Sequence, residues 1–151
     1  MHAYIVRQMH VKALMERLFH ADSFDFWDVR GVNICHFVTM DIDGAKPGAD
    51  GQQKTYVTWA ALKNYIAQFI KGKEKPRHIK IIFSMPRNML ADISANAAAA
   101  FLNMEYENDE VKFLTAASQK EFSLSKELDA LWDEYAKKFF INIGIPVEDE
   151  T

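Results

Sequence analysis

Between Val32 and Ile42 the chain alternates without interruption: Val32, Ile34, His36, Val38, Met40 and Ile42 share one side, and Asn33, Cys35, Phe37, Thr39 and Asp41 share the other. Successive side chains of a strand point to opposite faces, so this period of two predicts one strand over the whole run. Apolar stripes at helical spacing supply a layer to cover such a sheet. They are Val11, Leu14, Met15, Leu18 and Phe19; then Trp59, Leu62, Tyr65, Ile66, Phe69 and Ile70; then Leu128, Leu131, Trp132, Tyr135 and Phe139. Thr58 and Ser125 are placed to cap the second and third stripes, and Gly72 to stop the second.

The rest of the chain fills in an α+β order. Ala3 to Arg7 is β-prone, the aromatic run Phe24 to Val29 reads as a strand closing in a tight turn at Arg30-Gly31, and Asp43 to Gln53 is a polar, glycine-rich surface loop. Lys54 to Val57 reads as a short strand. Pro76 imposes extended backbone ahead of His78 to Phe83, a central strand. Pro86 opens a short helix bearing Met89, Leu90 and Ile93, which Ala97 to Ala100 can extend. Leu102 to Glu107 and Val111 to Thr115 form a hairpin about Asn108-Asp109, Lys120 to Leu124 adds a strand, and the acidic tail Glu148 to Glu150 is expected to fray.

The order β-α-β-β-β thus occurs in residues 3–57 and again in 78–124, with a connecting helix at 58–71 and a C-terminal helix at 125–143. The expectation is a single domain over 1–151: a mostly antiparallel sheet with helices packed on it, its two tandem units related by a pseudo-twofold axis. Leu14, Leu18, Leu62, Ile66, Ile81, Leu131 and Trp132 are its expected core.

Composition narrows the class. Of 151 residues 49% are hydrophobic, enough for a packed core, while a net charge of -3 names no partner. One cysteine cannot close an intramolecular disulfide, and no apolar run reaches the roughly 18 residues of a membrane span. Met1 to Arg7 lacks the order of a secretory signal. These features point to a cytoplasmic protein with no membrane partner.

No catalytic, cofactor or metal motif emerges. Cys35 and His36 are neighbours on a strand, so their side chains diverge and the imidazole cannot activate the thiol. His2, His10, His20 and His78 are scattered, without ligand spacing. Asp41, Asp43 and Asp50 with Gly44 and Gly51 lack the calcium-loop pattern, and no phosphate-binding glycine motif occurs. Asp129, Asp133 and Glu134 read as a solvated helix face, with Asp133 and Glu134 each four residues before a lysine. The one charge cluster is Lys71, Lys73, Lys75, Arg77 and Lys80 against the single Glu74. Those five cations could grip phosphates, or could solvate a helix end and a turn.

Two resemblances rest on these residues. VKALMERLF (11–19), FDFWDVRGVNI (24–34), FIKGKEKPRHIKIIFSM (69–85) and FLNMEYENDEVKFLTAASQKEFSLSKELDALWDEYAKKF (101–139) resemble an uncharacterised bacterial family of unknown function, numbered 5721, which implies no activity. The tandem order, FDFWDVRGVNICHFVTMDID and IKIIFSMPRNMLADI followed by FLNMEYENDEVKFLTAAS resemble one domain of a sliding-clamp processivity factor. That likeness implies helices lining a DNA-sized hole. Here the helices at 58–71 and 125–143 depart from the clamp pattern. The candidate lining helices are also nearly neutral: Lys12 and Arg17 face Glu16 on one, and Arg87 faces Asp92 on the other.

The reading is a binding or accessory module with no cofactor, acting on itself or another protein through a sheet edge or apolar patch and not by catalysis. The alternatives are a clamp-like nucleic-acid factor using residues 71–80, and a small enzyme whose pocket is assembled from distant residues.

Overall fold

The computed structural model describes residues 1–47 and 54–150. Among the described residues are eight strands, β1 (Ala3–Val6), β2 (Asp28–Cys35), β3 (Thr39–Asp43), β4 (Val57–Thr58), β5 (His78–Ser84), β6 (Ala97–Glu107), β7 (Glu110–Gln119) and β8 (Glu148–Glu150). Three α-helices accompany them, α1 (Gln8–Phe19), α2 (Trp59–Ile70) and α3 (Glu127–Ile143), with a 3-10 helix at Arg87–Asp92. All strands join one antiparallel sheet in the order β3-β2-β5-β6-β7-β1-β8, with β4 also beside β2. The α+β class read from the sequence is the class of the fold.

The sheet has a covered face and an open one. Ile34, Ile79, Ile81, Phe83, Leu102, Met104, Val111 and Phe113 are buried with Leu14, Leu18, Trp59, Ile66 and Trp132 of the helices in one apolar core. The alternate residues Asn33, Lys80, Glu105 and Lys112 stand in a row on the open face, matched by register. Among the described residues, five of the expected core side chains are buried; Leu62 and Leu131 are only partly so. On α3 the inward face is Leu128, Trp132, Ala136, Phe139 and Phe140, and Leu131 lies at its margin.

Several expectations are corrected. The turn expected at Arg30-Gly31 is a β-bulge inside β2: Val29 faces Phe83 and Gly31 faces Ile82, leaving Arg30 as the extra residue. The bulge keeps Val29 and Val32 both buried at a spacing of three, which breaks the period of two in the sequence. The strand expected to run unbroken to Ile42 instead folds back at His36–Val38, where the His36 amide donates to the Val38 carbonyl at 3.0 Å. The apolar period survives the reversal because Ile34 pairs with Met40 and Val32 with Ile42 across the hairpin. Residues 24–27 form turns and no strand, with Phe24 and Trp27 both buried. Ala97 to Ala100 begin β6 and do not extend a helix, and Lys120 to Leu124 are not a strand.

The acidic tail does not fray. Glu148–Glu150 pairs with β1, and Arg7 binds Glu148 at 2.6 Å while Lys112 binds Glu150 at 2.8 Å. The opposite charges of Arg7, just after β1, and of Lys112 on β7 hold a segment whose own composition would repel itself. The pairings also depart from a twofold: β1 lies beside β7, whereas its counterpart β5 lies between β2 and β6 and not beside β3.

Candidate functional site

The helix α1 carries two apolar stripes' worth of work. Leu14 and Leu18 face the sheet, while Val11, Met15 and Phe19 are only partly covered and face α2. At one end the helices are tied: the Trp59 indole Nε1 donates to the Leu18 carbonyl at 2.7 Å, and the Phe19 and Trp59 rings lie 5.6 Å apart. Thr58 caps α2 as expected, its Oγ1 accepting from the Ala61 amide at 3.4 Å. Toward the last turn of α2 a groove opens between the helices.

The groove consists of two adjoining hollows of about 470 and 460 Å³ that share Lys12, Met15, Phe19 and Ile70. Val11, Pro76, Ile79 and Tyr106 line the first, and Ala67, His20 and Lys71 line the second. Lys75 closes one end. Its Nζ donates to Asp109 Oδ1 at 3.0 Å, and the Tyr106 hydroxyl donates to the same oxygen at 3.1 Å. Asp109 and Asn108 both adopt positive φ, 61° and 53°, in the turn expected there, which aims the carboxylate back at Tyr106. The hydrogen bond from Lys75, then that from Tyr106, holds the Asp109 carboxyl below its ordinary range. Burial and the Asp109 bond push the Tyr106 phenol up, and Asp109 raises Lys75 in turn.

The five cations singled out in the sequence do not share one surface. Lys75 lines the groove, Lys71 borders its second hollow, and Lys73 and Arg77 are exposed in the connection to β5. Lys80 stands on the opposite, open face of the sheet, across from Asn33 and Glu105. Among the described residues, Lys12, Lys71, Lys73, Arg77 and Lys80 make no ion pair.

Cys35 and His36 part as their neighbouring positions require. Cys35, half-buried, accepts a long contact of 3.7 Å from Thr39 Oγ1 and lies opposite His78 in the ladder. His36 sits in the turn with its ring against Phe37 and against Phe69 of α2. Asp133 is not on a solvated face: it accepts a hydrogen bond from the buried Thr115 hydroxyl, and Lys137 pairs with Asp149 instead. Glu134 and Lys138 do pair, at 3.2 Å. Asp50 and Gly51 lie outside the described residues.

Sequence reasoning missed the groove, since Val11, Met15 and Ile70 look like ordinary core positions, yet they are only partly buried and line it. It also missed a convergence on the open face. His78 Nε2 lies 3.2 Å from Glu105, and with Glu107 these side chains offer ligand atoms all within 4.8 Å of one another. The alternation of Glu105 and Glu107 about Tyr106 was the available signal; which histidine would meet them depended on register.

Residues 17–148 match a family model described as a family of unknown function, DUF5721. No curated protein and no solved structure matches the chain.

Proposed function

Because the chain belongs to the DUF5721 family of unknown function, we propose its role from geometry: it is a non-enzymatic binding module that takes an apolar, acid-bearing segment of a partner protein into the groove between α1 and α2. The observation that carries this reading is the groove's form, two joined hollows with apolar walls and Lys12 and Lys71 unpaired at its edge among the described residues. A twelve-residue helix such as α1 runs about 18 Å, so the occupant is elongated. An open trough of this kind suits a peptide, with lysines matching carboxylates and Met15 adapting to the inserted side chain.

The polar trio at its end supports binding over catalysis. General acid-base work favours a group that titrates near neutrality. Here Tyr106 and Lys75 are pushed up and Asp109 down, so each moves away from that range.

A displayed library of random peptides, selected on the folded chain, tests the reading. Enriched sequences should combine apolar residues with Asp or Glu, displace the anionic apolar dye anilinonaphthalene sulfonate, and lose affinity for a Lys12→Glu, Lys71→Glu protein and for Met15→Glu. Peptides that bind these variants unchanged would refute it. A dimer that Met15→Glu dissociates would make a second copy of the chain the occupant. The exposed Lys71, Lys73 and Arg77 carry the second reading, contact with duplex phosphates, which charge reversal at Lys73 and Lys75 tests.

A further inference from the structure

We propose that His78, Glu105 and Glu107 form a site for a divalent transition metal on the open face of the sheet. The placement is fixed by backbone register. Glu105 and Glu107 are two apart on β6 and so share a face, and His78 on β5 is the ladder partner of Glu107. All three ligand atoms converge within 4.8 Å, a spread that small rotations of two glutamates close onto an ion. His78 is the least exposed of the three, its side chain 26% exposed against 46% for Glu105.

The pairing of His78 with Glu105 accounts for two members of the cluster and leaves the third unexplained. Glu107 has no ion-pair or hydrogen-bond partner among the described residues, and it stands directly across from Glu110, a like charge already engaged by Arg7. Two carboxylates on one face and a third opposite repel one another, and a cation between His78, Glu105 and Glu107 relieves that repulsion. Lys80 and Lys112 flank Glu105 in the ladder, but Lys112 is turned to Glu150.

The donor set selects the ion. One imidazole nitrogen with two carboxylates suits Zn²⁺, Co²⁺ or Mn²⁺, whereas Ca²⁺ seeks six or more oxygens. Three protein ligands leave coordination positions facing solvent. The site lies on the opposite face of the sheet from the α1–α2 groove, so neither assignment depends on the other.

Titration of the chain with Co²⁺, followed by visible absorption and by histidine ring NMR signals, tests the proposal. One Co²⁺ per chain should bind, be displaced by Zn²⁺ and not by equimolar Ca²⁺, and shift the His78 ring. His78→Gln and Glu107→Gln should each weaken binding about tenfold or more while leaving the circular dichroism spectrum unchanged, and His36→Gln should have no effect. Paramagnetic broadening in the unmodified chain reads the same site without a variant, and should centre on His78, Glu105 and Glu107. Absence of stoichiometric binding, broadening centred on another histidine, or affinity that survives His78→Gln overturns it.

Discussion

The Trp59 indole is bonded to the Leu18 carbonyl at 2.7 Å, a side-chain tie between the first turn of α2 and the last turn of α1 with both residues buried. It fixes the closed end of the groove, since Phe19, the next residue, is a wall of both hollows. Trp59→Phe keeps most of the apolar volume but removes the donor, so it should cost about 1–3 kcal/mol, the range for a buried acceptor left unpaired. Urea denaturation measures that loss. Dye or peptide binding in the groove should weaken in parallel; an unchanged midpoint would show that the bond is dispensable.

Gly44 falls in the stretch expected as a surface loop, yet it is buried against β2. Its amide donates to the Arg30 carbonyl at 3.0 Å, and a Cβ added there would lie 1.7 Å from the Val29 carbonyl oxygen. Backbone, not a movable side chain, blocks the substitution. Gly44→Ala should therefore displace the segment after β3 and destabilise the fold by about 3 kcal/mol or more, at the upper end for single changes. Gly72→Ala is the informative contrast: nothing lies within 4 Å of its Cβ position, so its cost comes only from a φ of +152°.

Removing residues 148–151 should expose β1 as an edge strand. The ion pairs of Arg7 with Glu148 and of Lys112 with Glu150 are exposed and screened by solvent, so each contributes little. The expected result is a modest fall in stability with much faster amide exchange along Ala3–Val6. Exchange at β1 that does not change would mean that the tail does not hold the strand in solution.

What the sequence revealed was period, and what it concealed was register. The stripe of α1, that of α2 apart from Tyr65, which is 75% exposed, the Asn108-Asp109 turn and the antiparallel class follow from spacing alone, and the fold bears them out. The reversal at His36–Val38 keeps Val32 and Ile34 on one side with Ile42 and Met40, so it is invisible to a reading of alternation, whereas the bulge at Arg30 shows only as the spacing of three between Val29 and Val32. The stripe on α3 misled because Leu131 lies beside the buried arc, and Ala136 and Phe140 complete it. The candidate sites were less legible still. Lys75 belongs with Asp109, 34 residues away, and His78 with Glu105 and Glu107, pairings that only the sheet order creates.

Tyr4 gives the fold a base-sensitive contact. Its hydroxyl donates to the Asp133 carbonyl at 3.2 Å, and burial first, then Asp133 and Asp149, pushes its pKa from 10.0 to about 12. A raised folded-state value means that the neutral phenol is favoured in the native chain. The stabilisation is complete below about pH 10 and is lost as pH rises from there through 12. Tyr106 and Tyr135 shift in the same direction, so they add to the slope. Unfolding free energy measured by urea at steps above pH 9 should fall with pH, and Tyr4→Phe should flatten the curve. A curve that is level across the interval would contradict the burial of this phenol.

Charge reversal at Lys73 and Lys75 separates the two binding readings at the level of single residues. If Lys71, Lys73, Lys75, Arg77 and Lys80 contact phosphates, each contact releases counterions, and Lys73→Glu with Lys75→Glu should flatten the salt dependence of duplex affinity by about two units. The geometry argues for the opposite outcome. Lys75 is already bonded to Asp109, and Lys80 faces away from the groove on the open side of the sheet, so the five cannot meet one backbone together. The expected result is negligible duplex binding at physiological salt in either protein, with little change in stability from the lost exposed pair. Micromolar duplex affinity that vanishes in the double variant would reverse the ranking and make the connection between α2 and β5 a phosphate-binding surface.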